Sequence, residues 1–238
     1  MTDNLYTRVE MLIGKSGLAK LANSTVLVLG LGGVGSFACE SLARSGVKKL
    51  IIVDKDVVDV TNINRQILAT KENIGLSKVD EMEKRINLIS NAEVVKIESF
   101  VDENFEIPEC DAILDCIDTI TSKFYIQKQA RKKRIFCISS MGMGNRFDPT
   151  KIQYTKLSKT SYDPLAKALR NLAKKEGFNY DFKVVSSSEA PKKQKTVVNE
   201  GKQTRKETYP ISSMVFVPAT AGLIMASKVM DYLITKEN

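Results

Sequence analysis

Three groups of residues in this chain have types and spacing that could do chemistry: a glycine cluster, a series of carboxylates, and two cations between them. Gly30, Gly32, Gly33 and Gly35 fall within "GLGGVG". Glycines at that density allow a tight turn and bring a phosphate close to backbone amides at a helix N-terminus. Asp54 comes 19 residues after Gly35, with Asp56 two further on. A carboxylate at such a place accepts hydrogen bonds from ribose hydroxyls. To this point NAD and ATP are served equally well. Arg65 in "TNINRQ" and Lys78 in "GLSK" separate the two. A dinucleotide carries a diphosphate held mainly by backbone and has little use for both cations. A triphosphate attacked at its α-phosphorus develops charge that Arg and Lys neutralise. Asp118, closing "DCID", is a carboxylate of the kind that ligates magnesium beside phosphates. Any one of these charges also reads as a solvated surface group; four in this order argue against that.

Other chemistries are excluded by what the chain lacks. It contains no histidine, so triads and metal sites built on imidazole are ruled out. The four cysteines, Cys39, Cys110, Cys116 and Cys137, include no C-x-x-C pair, which argues against a zinc or thioredoxin-like site. Three lie in apolar stretches ("SFACESLA", "AILDCID", "RIFCISS"), where cysteine behaves as a small core residue. No disulfide framework is indicated, which fits a reducing compartment.

The elements that must position these groups follow from periodicity. "STVLVLG" is a short, β-branched apolar run, as a buried parallel strand requires. A helix from Val34 to Ser45, stopped by Gly46, and the strand "KKLIIVD" come next. "TNINRQILATKENIG" lacks a clean period and reads as loop or short helical turns. Val79, Met82, Ile86 and Ile89 repeat at helical spacing. "AEVVKIES", "CDAILDCID" and "RIFCISS" are strands, with the helix "TSKFYIQKQARKK" before the last. Strands alternating with helices give an α/β, Rossmann-like, doubly wound, mainly parallel sheet with right-handed crossovers. Beyond Met141 the rhythm changes. "KIQYTKL" and "FKVVSSS" are added strands, "DPLAKALRNLAKKEG" is a helix with an Asp cap and Pro at its first position, and "VPATAGLIMASKVMDYLI" is a largely buried helix.

At 238 residues the chain is long enough for one α/β domain with a C-terminal extension. We divide it into a nucleotide-binding core at 1–150 and an elaboration at 151–238, with a polar, basic loop near 190–210. Composition is that of a soluble protein, 43% apolar and 27% charged, and no run approaches 18 uninterrupted apolar residues. No signal peptide opens the chain, so a cytoplasmic protein without a membrane partner is expected. Net charge is +8, which points to an anionic partner. "KFYIQKQARKKR" holds six cations and no acid from Lys123 to Arg134, and residues 192–206 hold six more. Phosphate-backbone contacts of that kind would steer an RNA.

As a set, Gly-x-Gly-Gly-x-Gly, "DKD", "TNINRQ", "GLSKV" and "DCID" resemble the adenylating domain of ubiquitin-activating-type enzymes, the group that includes the molybdopterin- and thiamine-pathway adenylyltransferases. The resemblance implies ATP-dependent adenylation of a carboxylate, with ATP and Mg2+ bound and a monovalent cation as a further ligand. It assigns Asp54 to the ribose and Asn64, Arg65 and Lys78 to the phosphates. Asp56 and Asn62 join the nucleotide site, and Asp118 holds magnesium. "LYTRVEMLIG" is similar to the segment whose arginine, here Arg8, reaches into a partner subunit's site, which implies a homodimer. The second half, "GMGNRFDPTKIQYTKLSKTSYDPLAKALRNLAKKEG" and "FKVVSSSEAP", resembles the branch that cyclises threonylcarbamoyladenosine in tRNA. That implies tRNA as substrate and, by association, a cysteine desulfurase or sulfur-acceptor partner. The alternative acceptor is the C-terminus of a small ubiquitin-like sulfur carrier. The missing zinc pairs, and the lack of any cysteine after Cys137, count against it. A third reading, a dinucleotide-binding oxidoreductase, is opposed by Arg65, Lys78 and Asp118.

Overall fold

The computed structural model describes residues 4–192 and 211–236. Seven strands form one sheet: β1 (Thr25–Leu29), β2 (Lys49–Val53), β3 (Glu93–Ile97), β4 (Ala112–Asp115), β5 (Phe136–Ser140), β6 (Ile152–Lys156) and β7 (Lys183–Ser187). Their order is β3-β2-β1-β4-β5-β7-β6. All neighbours pair in parallel except β6 with β7. The chain steps from β1 outward to β3, then returns to start β4 on the other side of β1. The carboxyl ends of β1 and β4 are therefore where the winding reverses, and a crevice opens there.

Strand residues alternate between faces. Val26 and Val28 face one core, and Leu27 and Leu29 the other. All four have 0% exposure, which is why these segments read as unbroken apolar runs. The first core lies under α2 (Gly35–Arg44), α3 (Lys78–Ile89) and α6 (Phe216–Thr235). The second lies under α4 (Ile120–Lys133), through Ile126 and Ala130. Against α4 packs α5 (Pro164–Lys175), whose N-terminus is capped by Asp163 Oδ1 accepting from Ala166 N at 3.0 Å.

The C-terminal helix α6 is long and apolar enough to cross a membrane, yet it packs across α2 and the ends of β4 and β5. At Gly222 a Cβ would stand 2.3 Å from the Val34 carbonyl oxygen, so the small-residue content serves close helix packing. One element was not foreseen: α1 (Thr7–Leu21), broken at Gly14, whose φ is 74°. That break interrupts the helical period that would have revealed it. Strand β7 continues the parallel sheet, β6 adds an antiparallel edge, and the basic loop expected near 190–210 lies outside the described residues from 193 onward.

Candidate functional site

Gly30 leaves β1 with φ of 85°, a left-handed conformation that favours glycine. Its N–H donates to the Val53 carbonyl at 2.8 Å, and Gly35 opens α2 directly beneath it. A Cβ at Gly35 would lie 1.8 Å from the Gly30 carbonyl oxygen. That glycine is needed to close the turn. Gly32, by contrast, has nothing within 4 Å of where its Cβ would be, so there the missing side chain leaves room for a ligand. Among the described residues no side chain caps α2. Its N-terminal, positive end directly follows the glycine turn, the arrangement that takes an anion.

The loop borders a cleft of about 570 Å³, a volume suited to a small-molecule ligand. Gly30, Gly32, Gly33, Asp54, Asp56, Asn62, Arg65, Lys78 and Asp118 all line it. Gly35 does not; it supports the turn from below. Asp54 directly follows β2, where its Oδ2 accepts from Leu31 N at 2.6 Å and its Oδ1 from Asp56 N at 2.9 Å. The acidic residue thus fixes the glycine turn while facing the cleft. Lys78, at the first turn of α3, is buried, and its Nζ lies 3.1 Å from Asp56 Oδ2. The Lys78 amide also donates to the Asp56 carbonyl at 3.1 Å, so two segments 22 residues apart are clamped together. Arg65 Nη1 donates to the Thr61 carbonyl at 2.7 Å and to Asn64 Oδ1 at 3.0 Å. Asp118 is exposed just past β4.

Two of the expected nucleotide ligands are engaged elsewhere. Asn62 lines the cleft, but its Oδ1 accepts from Asp59 N at 3.1 Å in a capping box around the 3-10 turn Val60–Asn62. Asn64 does not line the cleft; its amide donates to the Ser213 carbonyl at 2.9 Å, tying the "TNINRQ" loop to the segment before α6. Arg8 is exposed on α1 and does not line the cleft. Nearby Tyr6 Oη accepts from Asn91 N at 3.5 Å, and Asn91 precedes β3. Arg8 therefore lies toward the amino edge of the sheet, one strand length, about 17 Å, from the cleft.

The opposite wall was not read from sequence. Met141, Gly142, Met143 and Gly144 follow β5 and line the cleft with Leu165, Ile211 and Pro218. The signal was present in "SSMGMGN", a glycine-containing stretch at the carboxyl end of a strand, where such folds bind ligands. Arg146 braces this wall from behind: its guanidinium donates to the Gly142 carbonyl and, at 2.9 Å, to the Tyr162 carbonyl, and lies 3.6 Å from Asp163. Gln66 also lines the cleft, and its buried Oε1 has no hydrogen-bond partner among the described residues.

The basic cluster in α4 needs correction. Lys123 is fully buried, with Nζ 2.9 Å from Asp115 Oδ1. Asp115 Oδ2 in turn accepts from Ser139 Oγ at 2.6 Å. A charge with 0% exposure cannot meet an RNA backbone. The remaining cations gather toward the last turn of α4, roughly 20 Å from Asp118 by helix rise.

All four cysteines are unpaired. Burial raises the thiol pKa of Cys39, Cys116 and Cys137, and that of Cys110 to about 11. None is a thiolate poised for attack. Among the described residues no three His, Cys, Asp or Glu side chains cluster to hold a metal. A lone Asp118 suits a magnesium ion that arrives on phosphates and keeps its waters. It does not suit a divalent ion held by protein carboxylates alone.

A family model described as the ThiF family matches residues 6–238. The chain is 45% identical to the tRNA threonylcarbamoyladenosine dehydratase of Bacillus subtilis over 239 residues, covering 96% of this chain and 94% of that protein. Crystal structures of the Escherichia coli tRNA N6-threonylcarbamoyladenosine dehydratase are similar too. The complex with ATP superposes with a TM-score of 0.85 and the complex with AMP with 0.83. Each is 30% identical and covers 96% of this chain and 93% of that one.

Proposed function

The chain belongs to the ThiF family, and from that premise we propose that it is an ATP-dependent tRNA threonylcarbamoyladenosine dehydratase. The observation that carries this reading is the cleft at the β1/β4 reversal. There the glycine turn, Asp54, Lys78, Arg65 and Asp118 surround one space, in a chain whose likeness to enzymes of that activity extends over nearly its whole length.

In the reaction the threonyl carboxylate of the modified adenosine attacks the α-phosphorus of ATP, forming an acyl adenylate and releasing pyrophosphate. The neighbouring carbamoyl group then attacks the activated carbonyl, closes a ring and expels AMP. The second attack is intramolecular, so effective molarity replaces a nucleophilic side chain. This agrees with a cleft whose one lining thiol among the described residues, Cys116, is held protonated by burial. It also leaves no sulfur step to assign. In our reading Asp54 accepts from the ribose, the α2 amides and Arg65 hold phosphate oxygens, and Lys78 neutralises charge as the α-phosphorus is attacked. Asp118 would hold nucleotide-borne magnesium, which would supply further charge neutralisation when bound.

The enzyme is read as a homodimer. Met11 and Leu12 expose 74% and 86% of their surface on α1, an apolar face suited to a second copy, and Arg8 on that helix then serves the neighbour's site. A tRNA substrate and unpaired cysteines fit a cytoplasmic setting. Mass spectrometry of tRNA nucleosides after incubation with ATP and purified protein tests the reading. The cyclic nucleoside must appear with stoichiometric AMP; its absence from tRNA carrying the precursor would refute the assignment.

A further inference from the structure

Two aromatic rings close in sequence to cleft-lining residues have no role in adenylation. Phe147 follows Gly144 by three residues and Phe216 precedes Pro218 by two, and both of those neighbours line the cleft. The rings meet edge to face at 6.1 Å. Phe147 and Phe216 remain 51% and 46% exposed, although hydrophobic burial favours hiding them. The backbone around Phe147 is held in place. Its own amide and that of Asp148 donate to Glu189 Oε2 at 2.9 and 2.8 Å, and the preceding Arg146 is buried. Asn145, at φ of 60°, donates to the Ser212 carbonyl at 2.7 Å and accepts from Lys192 N at 2.7 Å. A rigid frame thus presents an apolar surface to solvent. Lys192 Nζ stands over the Phe147 ring, 4.9 Å from its centroid, so a cation already covers part of one ring face and must swing toward a phosphate when a base stacks there.

We infer that Phe147 and Phe216 form a stacking platform for an unpaired base flanking the modified adenosine, with Lys192 meeting the adjoining phosphate. The inference rests on the reading above that the substrate is tRNA. For its carboxylate to reach the α-phosphorus, the modified nucleoside must enter the cleft and leave the stack of its loop, which exposes the faces of its neighbours. Half-exposed rings take such faces without regard to base identity, and a nearby cation matches the backbone charge. An apolar protein partner would gain nothing from the lysine.

The test measures binding of a synthetic anticodon stem-loop carrying threonylcarbamoyladenosine, together with versions bearing an abasic site on either side of that nucleotide. Phe147→Ala and Phe216→Ala are each expected to weaken RNA binding about tenfold while ATP affinity keeps its wild-type value. One abasic substitution should weaken binding to wild type but not to the variants. Lys192→Gln should lower the slope of log affinity against log salt by about one phosphate contact. If an alanine variant fails to fold, Phe147→Leu, which keeps volume but loses the ring face, takes its place. Unchanged RNA affinity in folded variants, or equal sensitivity of wild type and variants to the abasic sites, overturns the platform. So does a change in oligomeric state on sedimentation, which would assign the rings to a subunit interface. Wild-type protein that binds the RNA but never cyclises it would instead remove the dehydratase reading, because the stacking measurement needs binding alone.

Discussion

Replacing Gly35 and Gly32 separately distinguishes a glycine that closes the turn from one that makes room for a ligand. The Cβ of an alanine at 35 would be placed 1.8 Å from the Gly30 carbonyl oxygen and 3.0 Å from its carbon. An ordinary carbon–oxygen contact is about 3.2 Å, so turn and helix must part by about 1.4 Å. Neither side is free to give. Gly30 is held by its bond to Val53, and Gly35 is the first residue of α2, whose opposite face is packed by Gly222. Overpacking of this kind costs about 1–3 kcal/mol or more, partly offset by up to 1 kcal/mol of better helix propensity. A net loss near 2 kcal/mol lowers Tm by roughly 4–8 °C for a chain of this size. Gly32→Ala meets nothing within 4 Å and should keep its Tm within about a degree, but its methyl group enters the space beside the cleft and should weaken ATP binding. Differential scanning calorimetry and isothermal titration with ATP read the two effects. Equal Tm losses, or a Gly35→Ala protein with wild-type Tm and ATP affinity, would refute the reasoning.

Lys78→Ala and Arg65→Ala should each reduce ATP-dependent turnover about a hundredfold, the scale of one lost transition-state charge contact; near-normal rates in both would sink the phosphate assignment. Lys123→Ala strands Asp115 as an unpaired buried charge, at about 3–5 kcal/mol, so Tm should fall by about 10 °C, and an unchanged Tm contradicts the pairing. Single Cys→Ala changes should leave turnover within about twofold. Because burial raises the thiol pKa values, their contribution to stability is complete below the unfolded value of about 8.5 and is lost as pH climbs through the folded values, about 11 at Cys110. Stability should therefore decline above about pH 9, and fast iodoacetamide labelling of native protein at pH 8 would count against it. Mixed and exchanged Arg8→Ala and Lys78→Ala subunits should recover about a quarter of wild-type activity if Arg8 acts across a two-fold dimer; no recovery despite proven exchange places Arg8 in its own subunit's site.

What was legible in the sequence was whatever local periodicity encodes. The parallel strands showed as apolar runs because Val26 to Leu29 are covered on both faces. The helices α2 to α6 showed through their repeats and caps. The first helix was hidden by the break at Gly14. The glycine turn, Asp54, Lys78 and Asp118 could be placed together from sequence because each falls at a strand or helix end that the pattern locates. Lys123 was misread for the opposite reason. In the string "KFYIQKQARKKR" all six cations look alike, and only the placement of α4 after β4 turns Lys123 onto Asp115, eight residues earlier. Asn64 likewise carried the right motif, but its partner, Ser213, is 149 residues away. Contacts across that separation leave no local trace.

The choice between a dinucleotide and a triphosphate, open at Asp54, turns on how the charges are held. Asp54 spends one hydrogen bond per oxygen on Leu31 and Asp56, and each oxygen keeps a further lone pair for a ribose hydroxyl. Lys78 Nζ spends one of its three donors on Asp56 and, in the proposed role, has the others for phosphate. Both groups are therefore held in place before ligand arrives, with bonding capacity left over. The partner of Lys78 is itself 54% exposed, so water screens much of its charge, and the buried ammonium presents net positive charge toward the cleft. A backbone-bound diphosphate has no need of a desolvated cation kept in this way. A phosphorus centre gaining negative charge during attack does, and a cation fixed beforehand meets that charge without the cost of reorganising at the moment of reaction.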